Sequence, residues 1–381
     1  MTTPVDVAVI GAGPAGALAA WHLARGGLNV VLFEKQRQPH HKVCGEFISA
    51  EGLPYLKEMG VDLDKLGATT ISNFRLHGPT RSCAAKLRHA CRGVSRIRLD
   101  ERMIEAATGA GAALRRGEAV QSLRRLDGAG FGIETSGGVL TAGYVICATG
   151  KIDFKPVRRR AGRDSGMVGF KLHLRLGSEA LALLQTHVDL FVFEGGYGGL
   201  APVEDGLVNF CFLLEKAAMR PVEADWPAMA QRFSELCPEL GVYLADSEAV
   251  FWPPVTVANV PYGFVRKEAA DTDLYCVGDQ LAVIPSLTGD GMAIAMMSAR
   301  RAAEHILSSR RDESGVGARD FHEEMARVLR PQVNFGFHVH RLFKAPRLCD
   351  IGMLAVRLWP GLVDLVIRKT RSPALGEAST R

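Results

Sequence analysis

Three glycines set the chemistry of the first fifty residues. Gly11, Gly13 and Gly16 stand in GAGPAG, a G-x-G-x-x-G spacing directly after the apolar run VDVAVI. Gly11 permits a tight turn, Gly13 lets a pyrophosphate approach the backbone, and Gly16 lets a helix pack close to the strand. Pro14 and Ala15 open that helix, whose free N–H groups and positive dipole end suit an anion. Glu34 lies eighteen residues after Gly16 and closes a second apolar run, LNVVLFEK, with Lys35 behind it. Its carboxylate can accept hydrogen bonds from ribose hydroxyls. The combination predicts a bound dinucleotide.

The other reactive side chains form no such pattern. Cys44 sits in KVCGEFIS with polar neighbours. A lone cysteine is most often a small buried thiol filling a gap. Glu46 reads as a surface or hydrogen-bonding residue, with a role as partner acid the alternative. The eight cysteines contain no CxxC pair and no Cys/His metal spacing, so no metal is expected. His338 and His340 read as exposed histidines.

These groups need positioning elements. Residues 5–10 are nearly all apolar, as in a parallel strand buried on both faces. A helix from about Ala15 to Arg25 and the second strand complete a βαβ unit. A helix is expected after GVSRIRLD, a meander of short strands over 117–135, and a buried strand in LTAGYVICATG. Strand-like runs over 166–215 predict a second, largely antiparallel sheet. ADWPAMAQRFSELCPEL reads as helical, and a strand pattern returns around 251–265. DLYCVGD reads as a buried strand, followed by a long helix over about 290–309. The last seventy residues read as helices, and the final ten as disordered. The fold class is therefore α/β (α+β overall): a Rossmann-like domain, a substrate domain and C-terminal helices. The expected boundaries are 1–70, 91–165 and 258–310 for the discontinuous dinucleotide domain. The substrate domain takes 71–90 and 166–257, and the helical region 311–381.

The chain has 381 residues, 47% apolar and 23% charged, with a formal charge of +5. This is ordinary globular composition. The densest basic patch, RRRAGR at 158–163, has no interleaved aromatics, so nucleic acid is not an expected partner. An anionic membrane surface or a diphosphate suits it better. No leader-like stretch precedes the first strand, and the thiols fit a reducing cytoplasm, the expected compartment. DIGMLAVRLWPGLVDLVIRKTR (350–371) is too interrupted to span a bilayer. It reads as an amphipathic helix pair packed on the domain, with peripheral membrane contact or cover over the substrate pocket as alternatives.

GAGPAG together with the distal VGDQLAVIPSLTGDGMAIAMMSA resembles FAD-dependent oxidoreductases of the glutathione-reductase-type fold, in the para-hydroxybenzoate-hydroxylase-like branch. The resemblance implies FAD as cofactor. Gly278 and Asp279, Pro285, and Gly289-Asp290-Gly291 with Met292 match the second motif. Asp279 would hydrogen-bond the ribityl or diphosphate segment, and the N–H groups from Thr288 to Gly291 would face the flavin pyrimidine edge. Arg96 matches a cofactor-contacting arginine. Val120 and the Ala148-Thr149-Gly150 turn are further expected cofactor contacts.

KVCGEFIS also resembles the geranylgeranyl reductase family, which carries a Cys-Gly pair beside the flavin. By that resemblance Cys44 and Gly45 lie at the ring, and Cys44 donates a proton or tunes the ring. Tyr197 and Pro202 match that family's strand pair, whose tryptophan is absent here; Tyr197 is the second candidate catalytic residue. The halogenase Trp-x-Trp-x-x-Pro element is missing, and Ala-Thr-Gly-Lys-Ile-Asp (148–153) replaces the hydroxylase Asp-Gly motif. The implied reaction is reduction of C=C bonds in an apolar small molecule. Flavin monooxygenation of an aromatic or polyketide-type substrate is the alternative. A third is electron transfer to a partner through a patch such as 158–163. NAD(P)H or an electron-donor protein would supply electrons, and no second nicotinamide-binding unit is seen.

Overall fold

Five of the six residues of VDVAVI are apolar, and the chain buries them in the middle of a sheet. The computed structural model describes residues 4–127, 130–157, 159, 166–218, 225–266, 274–312, 317–359 and 361–373. Strand Val5–Ile10 pairs in parallel with Val30–Glu34 on one side and Gly138–Cys147 on the other. Ala113–Arg116 extends the parallel set beyond Val30–Glu34, and Tyr275–Cys276 joins the end of Gly138–Cys147. Phe131–Thr135 and Val120–Arg125 complete the seven strands as an antiparallel meander. Helices Pro14–Arg25, Arg96–Gly109 and Gly291–Asp312 pack on this sheet. Ser95 caps the second of these, its Oγ accepting from the Arg98 N–H.

The second sheet has nine strands. Ser82–Gly93, Thr69–His77, His187–Phe193, Gly196–Pro202, Val208–Glu215 and Met167–Arg175 lie side by side. One pair, Thr69–His77 with His187–Phe193, is parallel, and the rest are antiparallel. Phe47–Ile48, inside the expected dinucleotide segment, adds to the edge of this sheet instead. Alternation gives the sheet two unlike faces. Phe170, Leu172, Phe210 and Phe212 face a core closed by helices Trp226–Leu236 and Pro238–Leu244. The residues between them, Lys171, His173, Asn209, Cys211 and Leu213, face back toward the first sheet. Of that second face, Cys211 and Leu213 line the site.

Several expectations shift. ADWPAMAQRFSELCPEL, expected as one helical segment, falls in two helices, Trp226–Leu236 and Pro238–Leu244, because Cys237 leaves helical geometry before Pro238. The strand in DLYCVGD is described only over Tyr275–Cys276. The long helix runs to Asp312. Helices Ala318–Phe343, Pro346–Leu358 and Gly361–Thr370 occupy the C-terminal region. Of the basic patch only Arg159 lies within the described residues, and the final residues 374–381 lie outside them. Arg159 is buried, donating to the Lys151 and Asp279 carbonyls and pairing with Asp153 at 2.6 Å.

Candidate FAD and substrate chamber

The glycine loop is held by sterics. Gly11 has φ +101°, and a Cβ there would sit 2.5 Å from the Ala148 carbonyl oxygen. A Cβ on Gly16 would come within 1.8 Å of the Gly11 oxygen. Gly13, extended at the helix N-cap, has only the Arg96 guanidinium near its missing side chain, at 3.4 Å. Glu34 is buried at the end of its strand and accepts from the N–H groups of Ala12 and Gln36. Thr149 and Gly150 face the loop from the third strand, and Gly278 with Asp279 from the strand after it. The short turn Ser286–Thr288 closes on the Pro285 carbonyl and leads through Gly289 (φ +67°) into helix Gly291–Asp312.

One cavity of about 1270 Å³ runs through all of this. Gly11, Gly13, Pro14, Ala15, Glu34, Lys35, Arg96 and Val120 line one end, with Ala148, Thr149 and Gly150. Gly278, Asp279, Gly289, Gly291 and Met292 line it from the far side. Cys44, Gly45 and Tyr197 stand further along. Gly16 and Pro285 do not line it: one is a packing contact, the other closes a turn. Asp279 reaches Lys151 Nζ at 3.5 Å. That carboxylate, ahead of opposing burial, raises the lysine to about 12. The sequence expectation of Asp279 on the cofactor thus acquires a cationic partner the motif did not indicate.

Cys44 sits where loop and sheet meet. Its Sγ accepts from the Glu46 N–H at 3.4 Å, and its carbonyl from Asn209 Nδ2 at 3.1 Å. The Arg96 guanidinium interacts electrostatically with the thiol. The same guanidinium grips Asp100 through Nε and Nη2, at 2.7 and 2.9 Å, and Lys42 adds a third bond to Asp100. Burial opposes charge on Asp100, but Arg96 and Lys42 outweigh it and hold the carboxyl below its usual range.

Glu46, expected as a surface or hydrogen-bonding residue, is the second and not the first. It is wholly buried, with φ +53°. Oε1 accepts from Lys171 Nζ at 2.9 Å and the Arg96 N–H at 2.8 Å, and Oε2 lies 2.6 Å from His173 Nε2. Burial pushes its pKa up, and His173 and Lys171 more than reverse this. Lys171 also donates to His41 Nδ1 at 2.9 Å. Burial, helped by Lys171 and His173, lowers His41 to about 4. His41, Glu46 and His173 bring ligand atoms within 4.8 Å of one another, but the Lys171 ammonium already fills the cation position between His41 and Glu46.

Tyr197 lies past the ion cluster. Its hydroxyl is 3.3 Å from Ser286 Oγ and 3.2 Å from His340 Nδ1, and Tyr262 donates to the same serine. Burial raises the Tyr197 phenol well above its ordinary value. His340, expected on the surface, is buried here because helix Ala318–Phe343 turns it inward; burial, then Lys344, lowers it to about 4. His338, two residues away, is exposed as expected. Beyond Tyr197 the walls are apolar: Leu76, Leu190 and Leu213 from the sheet, Phe343, Met353 and Val366 from the helices. The C-terminal helices therefore roof the chamber.

A family model described as FAD binding domain matches residues 4–328. The chain belongs to this family. FAD is its cofactor, and the family places it among FAD-dependent oxidoreductases. The fit is physical: a helix N-terminus without a side chain at Gly13, an acid at Glu34, and a chamber long enough to continue past the cofactor. A menaquinone reductase of Mycolicibacterium smegmatis is 25% identical over 94% of this chain and 89% of the relative. A digeranylgeranylglycerophospholipid reductase 2 of Methanopyrus kandleri is 29% identical over 78% of this chain and 76% of that one. Among solved structures, the flavin-dependent brominase Bmp2 superposes with a TM-score of 0.78 at 18% identity, covering 97% and 93% of the two chains. That likeness concerns the fold.

Sequence reasoning missed Lys171, His173 and His41 as site residues. The signal was present in FKLHL, where an apolar face alternates with a Lys-His face. Alternation alone reads as solvent-facing polarity; only the packing of Glu46 against that face makes it a buried site.

Proposed function

We propose that this FAD-binding protein reduces carbon–carbon double bonds in a long apolar molecule. The observation that carries this reading is the shape and polarity of this continuous chamber. A glycine-rich dinucleotide end leads past His41 and the Cys44 thiol into a leucine-, valine- and phenylalanine-lined end closed by helices. An isoprenoid chain matches that gradient better than a compact polar molecule does. Two relatives are named for reducing menaquinone and digeranylgeranylglycerophospholipid, which supports the substrate class.

Bound FAD supplies two-electron hydride chemistry. Gly11, Gly13, Glu34, Arg96 and the Gly289–Gly291 turn would hold it. The apolar walls exclude water and align the chain. Cys44 gives a proton to the alkene carbon that does not receive the hydride, so the substrate gains two hydrogens and the cysteine is left as thiolate. Arg96 stabilises that thiolate, and solvent protons arriving along the His41 side restore the thiol.

The decisive assay mixes anaerobically reduced holoenzyme with a polyprenyl compound and weighs the product. A gain of two hydrogens supports the proposal. No anaerobic product, with one oxygen atom gained when air is admitted, would replace it with monooxygenation.

A further inference from the structure

Helix Pro346–Leu358 is apolar on both sides. Its inner side, Cys349, Met353 and Val356, lines the chamber. Its outer stripe is Ile351, Leu354 and Leu358, at i, i+3 and i+7, with Arg347 one turn before Ile351 on the same face. Ile351 is 63% exposed and Leu358 80%, and Trp359 just beyond is 60% exposed. A surface helix normally keeps one face for water. This one leaves a contiguous run of large apolar side chains that no described residue covers, and such patches mark a docking site.

Charge selects the occupant. Between residues 341 and 371 seven cations face two acids, and the excess equals the formal charge of the whole chain. Arg341, Arg347, Arg368 and Lys369 are exposed, while Asp350 is engaged by the Thr80 hydroxyl. Two copies brought face to face would oppose cation to cation. An anionic lipid surface accepts the leucines and isoleucine into its acyl boundary and the basic side chains at its headgroups. Trp359 has the amphipathic ring that favours that boundary. No helix among the described residues is long and apolar enough to cross a membrane.

We propose that helix Pro346–Leu358 lies in the plane of an anionic membrane, with Ile351, Leu354, Leu358 and Trp359 inserted. The roof of the chamber is then also the face through which an apolar substrate is received. This docking stands whether the reaction is reduction or oxygenation.

Full-length holoenzyme is floated with vesicles of phosphatidylcholine and phosphatidylglycerol, and with phosphatidylcholine alone. The expected result is flotation with the anionic vesicles only, weakened by salt. Ile351→Asp with Leu358→Asp should weaken it at least about tenfold, and Arg347→Glu about fivefold. Retained flavin absorbance and circular dichroism identify folded variants. Should the double variant misfold, Trp359 emission decides: a vesicle-induced blue shift in the parent that disappears in Trp359→Phe. Folded holoenzyme that stays with the pellet, or floats equally well after both substitutions, overturns the proposal. So does sedimentation velocity showing a dimer that Leu358→Asp converts to monomer, since the face would then belong to a second copy.

Discussion

Glu46 and Lys171 meet at 2.9 Å with neither side chain exposed to solvent. His173 and the Arg96 N–H complete the shell, and a glutamate at φ +53° is a strained backbone conformation costing on the order of 1–3 kcal/mol. Strain and buried charge persist only where the surroundings enforce them. Glu46→Gln leaves Lys171 without its counter-ion in a dry site. Urea unfolding should show a loss of about 3–5 kcal/mol. Adding Lys171→Met should recover part of it, because the uncompensated cation goes with the lysine. Equal losses in the single and double variants would show that the pair is not electrostatically coupled.

Cys44→Ala should leave the protein yellow, since the glycine loop and Glu34 are untouched. Alkene reduction in a single turnover should fall by about 10²–10⁴-fold, the usual worth of a positioned proton donor. Unchanged turnover would return Cys44 to a packing role.

Gly11→Ala introduces a methyl 2.5 Å from the Ala148 oxygen at a left-handed φ. Purified variant should lose bound FAD, read by the absorbance ratio of flavin to protein, and lose about 1–3 kcal/mol of stability. Gly109→Ala, at the exposed end of helix Arg96–Gly109 with open space around its Cβ, is the control and should retain FAD.

Acid should weaken the fold between about pH 6.5 and 4. His41 and His340 are lowered to about 4, and His322, buried and accepting from the Cys276 N–H, to about 3. In that interval the unfolded chain binds protons that the folded chain refuses, so stability falls as pH falls. Glu46 acts lower: its depressed folded pKa contributes stability above the ordinary glutamate value that is lost as pH drops through the folded one. Thermal melts from pH 7 to 4 should show a steady decline, and His340→Gln should reduce its slope.

Tyr197→Phe removes the partner of His340 Nδ1 and one neighbour of Ser286. The expected cost is about 1–3 kcal/mol by denaturant unfolding. A neutral result would mean that Tyr262 alone satisfies the serine and that His340 rearranges.

Much of this architecture was legible because it is local. GAGPAG, the apolar strands and Glu34 carry their own stereochemistry, so the dinucleotide end could be read residue by residue. The strand-like runs over 166–215 likewise announced a second, largely antiparallel sheet. What could not be read was which face would be covered. Lys171 and His173 look like residues for water until Glu46, 125 residues earlier, is brought against them. His340 shows the same limit on a helix, where burial depends on a tyrosine 143 residues away. Contacts at such separations leave no local pattern.

Asp290 stands between Gly289 and Gly291 at the entry to the cofactor helix. It is buried, and its Oδ2 accepts from the Ser372 N–H and Oγ, 82 residues later, and from Gln332 Nε2. Ribosomal synthesis therefore delivers the latch for this turn long after the turn itself. Until Ser372 has emerged from the exit tunnel, Asp290 lacks the two Ser372 donors and the roof is not latched. Formation of the finished chamber is thus a late event in the life of the nascent chain.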